Sequence, residues 1–130
     1  MAGKVLIVDD DITLRDMYAE RLKAEGFEAE IAGNGDEGIE KAKSTQPDVI
    51  LLDIMMPKTN GFNALEELKR DETTKNIPVI MLTALIQNEN KTRSIAGGAD
   101  DYIVKSETMP GEVIEKINRV IAKKKPPEEK

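Results

Sequence analysis

The sequence predicts an α/β fold: a doubly wound sheet of five parallel strands with helices on both faces. Strand-like and helix-like segments alternate five times along the chain, and parallel strands need long right-handed crossovers, which are usually helical. Val49–Leu52 and Pro78–Leu82 are almost wholly apolar, as expected of central strands that helices cover on both sides. The length of 130 residues fits one domain with its own core.

The first half of the chain predicts two strand-helix units. Lys4–Val8 is a compact apolar run typical of a strand, and the helix that follows it is closed by Gly26. The apolar residues of this helix recur at helical spacing and are Leu14, Met17, Tyr18 and Leu22. Glu28–Ala32 is more polar, which favours an edge strand. A second helix stops before Pro47. Its turn and apolar positions are marked by Asn34, Gly35, Ile39 and Ala42.

The second half continues the alternation. The loop and apolar face of the third helix contain Pro57, Gly61, Phe62, Leu65 and Leu68. The segment after Thr83 predicts only a short fourth helix, which is weakened by Asn88, Asn90, Gly97 and Gly98. Asp101–Val104 predicts the fifth strand. The last helix has the clearest amphipathic stripe, made of Val113, Ile114, Ile117, Val120 and Ile121. The charged residues 123–130 predict a flexible tail, so we place the domain at residues 1–122.

Composition excludes several kinds of site. The chain has no cysteine and no histidine, so it forms no disulfide, lacks the usual zinc ligands and carries no phosphohistidine. The net charge of −6 argues against a broad basic surface for nucleic acid. No apolar run is long enough to span a membrane, and the first residues lack a signal-peptide pattern. We therefore expect a cytoplasmic location, with no direct contact to nucleic acid or membrane.

Residues that can handle a phosphoryl group stand at the ends of four predicted strands. They are Asp9 and Asp10, Asp53, Thr83 and Lys105. Because ligand sites in such sheets form beyond the carboxyl ends of the strands, we expect these side chains to converge at one edge. Crowded carboxylates repel one another unless a cation joins them. The cluster therefore predicts a hard divalent ion such as Mg²⁺, held by oxygen ligands.

Each of these residues has a simpler interpretation when it is taken alone. The acidic run Asp9–Asp11 is typical of a helix N-terminus, and Asp11 itself fits a cap or a solvated acid. Asp53 and Thr83 fit loop or turn residues, and Lys105 fits a solvated cation. The occurrence of all of them at strand ends favours a shared site.

Four ordered motifs give the chain a recognisable pattern. They are Val8-Asp9-Asp10; Leu51-Leu52-Asp53-Ile54-Met55-Met56-Pro57 with Gly61 behind it; Thr83-Ala84; and Gly98-Ala99-Asp100-Asp101-Tyr102-Ile103-Val104-Lys105. From Lys4 to Ile121 the chain resembles the receiver domain of bacterial two-component response regulators, in length like the stand-alone chemotaxis-type regulators. The resemblance implies a flavodoxin-like (βα)5 fold with strand order 2-1-3-4-5.

The resemblance also implies a role for each matched residue. By similarity, Asp53 is the phosphoacceptor, and it holds Mg²⁺ together with Asp9, Asp10 and the backbone carbonyl of Met55. Thr83 and Lys105 contact the phosphoryl oxygens, and Tyr102 matches an aromatic switch position that follows the hydroxyl of Thr83. The implied activity is Mg²⁺-dependent phosphotransfer to this chain with slow autodephosphorylation. Physically, a carboxylate attacks an anionic phosphoryl group only when that charge is neutralised.

Partners and output follow from the same expectations. A chain without histidine needs a separate sensor histidine kinase or histidine phosphotransfer protein as donor, and a separate target protein. The first helix, around Met17 and Tyr18, offers apolar surface for the donor, although core packing is the simpler interpretation. The output surface is expected on the fourth helix, strand 101–104 and the last helix, because segment 88–98 is the easiest to reshape. A monomer and a phosphorylation-dependent dimer both stay open.

Two features depart from the family pattern. Lys105 is followed by Ser106, where the family commonly has a proline after a cis peptide bond. A cis bond before serine costs about 3 kcal/mol, so we expect the loop 105–109 to run differently or to carry strain. Met55 and Leu85 are apolar at positions that flank the phosphoryl group in the family, and neither side chain orients an attacking water well. We therefore expect a long-lived phosphoryl state.

Three other functions remain as alternatives. A pseudo-receiver would keep the fold and bind partners without taking phosphate, but the five intact site residues count against it. A flavin carrier of the same topology would need a phosphate-cradling loop after the first strand, where this chain has Asp9–Asp11. A Mg²⁺-dependent aspartyl phosphatase usually has a second acid two residues after its nucleophile, and here Met55 occupies that position.

Overall fold

The computed structural model describes residues 3–54, 56, 60–83, 96–104 and 110–124. Its strands are β1 (Lys4–Val8), β2 (Glu28–Ala32), β3 (Val49–Asp53), β4 (Val79–Thr83) and β5 (Asp101–Val104). Its helices, within these residues, are α1 (Ile12–Ala24), α2 (Gly35–Thr45), α3 (Gly61–Arg70) and α4 (Pro110–Lys124). The strands form one parallel sheet in the order β2-β1-β3-β4-β5. The predicted fold class and strand order are confirmed.

The sheet separates two apolar layers, because successive side chains of a strand point to opposite faces. Val5 and Ile7 of β1 pack in one layer with residues of α1 and α4, whereas Leu6 and Val8 pack in the other with residues of α2 and α3. All four are 0–1% exposed. Each fully buried aliphatic side chain contributes about 1.5–3 kcal/mol of transfer free energy. This two-sided burial explains why the central strands β3 and β4 are apolar at every position before their last residue.

Several element predictions can be compared directly with the structure. The more polar β2 lies at an edge of the sheet and the wholly buried β3 lies at its centre, as predicted. β3 includes Asp53, one residue more than the apolar run suggested. On α1, Tyr18 is 3% exposed while Met17 is 41% exposed, so only Tyr18 belongs to the core. The helix predicted after Thr83 lies outside the described residues, and so do residues 125–130 of the predicted tail 123–130. Lys123 and Lys124, the first two residues of that tail, belong to α4.

The described part of the chain contains the helices α1 to α4. None of them is both long and apolar enough to cross a bilayer.

The end of α3 carries a titrating group with a clear shift. Asp71 follows the helix, and its Oδ1 accepts hydrogen bonds from the Thr73 hydroxyl at 2.6 Å and the Thr73 amide at 2.8 Å. Its Oδ2 lies 3.3 Å from Nζ of Lys43 on α2. These contacts, first those of Thr73, stabilise the carboxylate and lower the pKa of Asp71 from 3.8 to about 2.

We expect the replacement Thr73→Ala to raise the pKa of Asp71 toward 3.8, because it removes the hydroxyl donor. Since the folded-state pKa is depressed, the contribution of Asp71 to stability is present above the unfolded-state pKa and is lost as pH falls through about 2. Carboxyl NMR titration measures the shift, and Lys43→Met serves as a comparison with a smaller expected rise. An Asp71 pKa equal in wild type and Thr73→Ala would contradict this assignment.

Candidate functional site

Three carboxylates meet at the carboxyl edge of the sheet. One oxygen each from Asp9, Asp10 and Asp53 lies within 4.8 Å of the others. Asp9 is 0% exposed and Asp53 is 3% exposed, whereas Asp10 is exposed. Asp9 and Asp10 follow β1, and Asp53 ends the neighbouring β3. The convergence of these carboxylates, predicted from their positions after adjacent strands, is what the geometry shows.

The three aspartates after β1, Asp9 to Asp11, have different roles: one caps α1 and two belong to the carboxylate cluster. The backbone amide of Asp9 donates to the carbonyl of Ala32 at 3.0 Å, which continues the pairing of β1 with β2 by one residue. Oδ1 of Asp9 accepts from the amide of Asp11 at 2.9 Å. Asp11 caps α1 by accepting from the amide of Leu14 at 3.1 Å. Asp11 is therefore the cap, as predicted, and Asp9 and Asp10 remain with Asp53.

Asp53 is held by backbone packing from two directions. The next amide, of Ile54, donates to the carbonyl of Leu82 on β4 at 2.9 Å, and Ile54 in turn accepts from the amide of Gly61 at 2.9 Å. A Cβ added to Gly61 would stand 2.3 Å from the carbonyl oxygen of Asp53. Asn60 caps α3 at this point by accepting from the amide of Phe62 at 2.7 Å. The start of α3 thus fixes the backbone of Asp53, and only glycine fits there.

The remaining predicted site residues are described in part. Thr83 ends β4, next to β3, and pairs in register with Val104 of β5. Tyr102 lies in β5, is partly buried and packs against the same apolar layer as Leu65. Its hydroxyl oxygen is inside the protein. The Thr83 side chain, Lys105, Met55, Leu85 and the Lys105-Ser106 bond lie outside the described residues.

One residue near the site was not singled out from the sequence. Nη1 of Arg15 on α1 lies 3.4 Å from the carbonyl oxygen of Asp9 and donates to it. The periodicity of apolar residues on α1 does not single out Arg15, so it could not predict the contact of Arg15 with Asp9. A basic residue one turn after an acidic run is the only hint in the sequence.

The donor set fits a hard divalent cation. Carboxylate oxygens are the ligands that Mg²⁺ prefers, and two of the three carboxylates are almost fully buried. Burying like charges together is unfavourable without a compensating cation. The arrangement of Asp9, Asp10 and Asp53 therefore matches an oxygen-ligand metal site.

Comparison with known proteins shows which family the chain belongs to. Residues 5–118 match the response regulator receiver domain. The chain is 42% identical over 119 residues to the DNA-binding dual master transcriptional regulator RpaA of Synechocystis, covering 92% of this chain and 48% of that protein. It is 41% identical over 127 residues to the phosphate regulon transcriptional regulatory protein PhoB of Pseudomonas aeruginosa, covering 97% and 55%. The chain spans about half the length of these curated relatives.

Solved structures agree with the fold. Chemotaxis protein CheY4 of Vibrio cholerae superposes with a TM-score of 0.86 at 34% identity, covering 92% of this chain and 99% of that chain. A CheY-like response regulator receiver domain protein of Methanospirillum hungatei superposes with a TM-score of 0.87 at 32% identity, covering 95% and 97%. The sheet order, the acidic edge and the match over residues 5–118 agree: the chain belongs to the response regulator receiver domain family.

Proposed function

We propose that this domain accepts a phosphoryl group on Asp53 in a Mg²⁺-dependent reaction and thereby changes a partner-binding surface. The observation that carries the proposal is the meeting of Asp9, Asp10 and Asp53 within 4.8 Å at one edge of the sheet. The donor is a phosphohistidine of a sensor histidine kinase or a phosphotransfer protein. This histidine must lie on another protein, because this chain has none.

Asp53 acts as the nucleophile in the proposed reaction. One of its carboxylate oxygens attacks phosphorus, the P–N bond of the donor breaks, and the leaving imidazole takes up a proton. Asp9, Asp10, Asp53 and the carbonyl of Met55 would hold Mg²⁺, which would supply positive charge to offset the charge of the phosphoryl group. Lys105 adds a second positive charge, and the hydroxyl of Thr83 donates to a phosphoryl oxygen.

Peptide mapping tests the acceptor position directly. After incubation with acetyl phosphate and Mg²⁺, borohydride reduces an aspartyl phosphate to homoserine, and trypsin releases residues 44–58 as one peptide. This peptide also contains Asp48, whose Oδ2 accepts from the amide of Lys4 at 2.8 Å at the other end of β3. Fragmentation is expected to place homoserine at position 53 and to leave Asp48 unchanged. Homoserine at another position would contradict the proposal.

We expect the phosphorylated domain to persist for minutes or longer. Met55 and Leu85 are apolar and neither presents a hydrogen-bonding group to a hydrolytic water. We expect Met55→Asn and Leu85→Gln to shorten the lifetime of the phosphorylated state, and Met55→Leu is the matched apolar control. Time-resolved mass spectrometry after removal of acetyl phosphate measures the decay. Decay within seconds in the wild type, with no acceleration by the polar residues, would contradict this explanation.

The proposed switch uses Thr83, Tyr102 and the surface of β5 and α4. Phosphorylation adds negative charge and acceptor oxygens at Asp53, which draw Thr83 inward and free space for Tyr102 to move. On the neighbouring surface, Nζ of Lys116 on α4 lies 3.3 Å from Oδ1 of Asp101 on β5. This pair joins β5 and α4. We propose these two elements as the output face, together with the helix predicted from the sequence between Thr83 and β5.

The proposed partners are a phosphoryl donor and a separate target. Only Met17 of the pair Met17 and Tyr18 is exposed enough for donor docking, and exposed Ile12 stands one residue after the cap Asp11. RpaA is named as DNA-binding and PhoB as a transcriptional regulator. Because this chain matches about half of each, we propose that DNA contact belongs to the half it does not match. We propose that the domain includes all of α4, which runs to Lys124 rather than to the predicted limit at residue 122, and that the tail is the part of the chain after it.

A further inference from the structure

Arg15 is in an unfavourable local position that its tertiary contacts explain. It lies in the first turn of α1, where the helix dipole disfavours a cation, and no acidic residue shares that turn. The residue is half-buried and its Nε is buried. Its Nη1 donates to the carbonyl oxygen of Asp9 at 3.4 Å. A side chain that violates a local preference is usually kept in place by what it contacts.

The guanidinium of Arg15 also lies against the loop that follows β2. A Cβ added to Gly33 would stand 3.2 Å from Nη1 and 3.7 Å from Oε1 of Glu37. Glu37 accepts from the amide of Gly33 at 2.8 Å, so its carboxylate is fixed on this loop. The absence of a side chain at Gly33 is what lets the guanidinium approach.

Asp9 is consequently held on both sides of its Cα. Its amide donates to Ala32 at 3.0 Å and its carbonyl accepts from Arg15 at 3.4 Å. Both contacts involve the end of β2, because Ala32 is its last residue and the guanidinium of Arg15 lies against Gly33, the next residue. The carboxylate of Asp9, on this held backbone, meets those of Asp10 and Asp53 within 4.8 Å.

We propose that Arg15 is a positioning residue for the metal site, acting through the backbone of Asp9. The proposal rests on the Mg²⁺-dependent function proposed above. The proposal predicts whether metal affinity rises or falls when Arg15 is replaced, because the two physical effects of Arg15 on metal binding oppose each other. As a nearby positive charge, Arg15 repels a cation, so its removal would strengthen metal binding. As a positioning group, it supports a ligand, so its removal weakens metal binding.

The test is metal affinity, measured with Mn²⁺ by the EPR signal of the free ion and with Mg²⁺ by competition. Arg15→Met removes the charge and the donors, and Arg15→Lys keeps the charge. Arg21→Met is the matched control: it makes the same charge change on the same helix, where Arg21 forms an exposed pair with Glu25 at 3.8 Å. We expect Arg15→Met to weaken Mn²⁺ binding about 10-fold, as for other supports of metal ligands. Arg15→Lys should lose less, and Arg21→Met should stay within about 2-fold of wild type because surface pairs contribute little.

Gly33→Ala provides a second route to the same contact without changing a charge. The added methyl group presses on the guanidinium, so it should weaken Mn²⁺ binding when Arg15 is present and have no effect in Arg15→Met. This coupling separates positioning from general damage to the fold. If circular dichroism shows that Arg15→Met is unfolded, Arg15→Lys takes its place in the Mn²⁺ binding measurement. The effect of Gly33→Ala on Mn²⁺ binding is then compared with Arg15 present and in the Arg15→Lys background.

The outcomes distinguish this inference from the function on which it rests. Binding by Arg15→Met as tight as in Arg21→Met, or tighter, overturns the positioning role, and so does an equal effect of Gly33→Ala in both backgrounds. In those cases the wild type still binds metal and takes phosphate. A wild type that neither binds Mn²⁺ nor takes phosphate overturns both proposals together.

Discussion

The replacement Asp9→Asn is expected to weaken Mg²⁺ binding at least about 100-fold, because even groups that only support a metal ligand contribute 10- to 100-fold. Asp9 is completely buried and its carboxylate lies with those of Asp10 and Asp53. Phosphorylation by acetyl phosphate should fall in parallel. Isothermal titration measures the affinity, and intact-mass spectrometry measures the phosphorylation rate.

The same replacement is expected to leave the metal-free domain equally stable or more stable, by about 1 kcal/mol. Asparagine keeps an oxygen that can accept from the amide of Asp11, as Oδ1 of Asp9 does at 2.9 Å, and it removes a buried charge from beside Asp53. Thermal unfolding in EDTA measures this difference. If Asp9 were only part of a helix N-terminus, its replacement would lower stability and leave Mg²⁺ affinity unchanged.

Asp16→Asn is the matched control for this prediction. Asp16 is an exposed residue of α1, and its replacement changes the net charge by the same amount. We expect its Mg²⁺ affinity to equal that of the wild type. An Asp9→Asn variant that binds Mg²⁺ no more weakly than Asp16→Asn would contradict the metal-ligand role of Asp9.

The replacement Gly61→Ala is expected to have the largest effect on the fold around the acceptor. Its Cβ would stand 2.3 Å from the carbonyl oxygen of Asp53 and 2.6 Å from Cα of Ile54. Both neighbours are backbone atoms, one in the last residue of β3 and one in the residue after it. Backbone atoms cannot rotate away as a side chain can, so we expect a loss of about 3 kcal/mol in the free energy of unfolding. The displaced Asp53 should also accept phosphate at least about 10-fold more slowly, since catalysis depends on position.

Gly111→Ala is the control for Gly61→Ala, because Gly111 also lies in the first turn of a helix. The nearest atom to an added Cβ there is Nη2 of Arg21 at 3.7 Å, an ordinary contact. We expect this variant to be unchanged or up to about 1 kcal/mol more stable, as alanine favours a helix. Urea unfolding compares the two, and similar stabilities would refute the close-packing argument for Gly61.

The fold could be predicted from the sequence because two-sided burial leaves a visible pattern. Val49–Asp53 is buried at every position, as expected of a central strand in a parallel sheet that helices cover on both faces. Edge position likewise shows in the polar residues of β2. The neighbours Met17 and Tyr18 could not be separated, since both fit the helical spacing and only packing shows that Tyr18 faces the sheet.

The acidic part of the site could also be predicted, because sheet topology brings together the ends of adjacent strands. The convergence of Asp9, Asp10 and Asp53 follows from the fact that β1 and β3 are neighbours in the sheet. The supports of these carboxylates could not be predicted in the same way. Arg15 reaches Asp9 through a side chain whose direction depends on the loop at Gly33, and such contacts exist only once the elements are packed.

Intact-mass spectrometry after incubation with acetyl phosphate tests the central claim most directly. The samples are the wild type with Mg²⁺, the wild type with EDTA, and Asp53→Asn with Mg²⁺. We predict one phosphate-sized increase in mass in the first sample and none in the other two. No increase in the wild type under any condition, or an equal increase in Asp53→Asn, would contradict the account and leave a receiver fold that acts by binding alone.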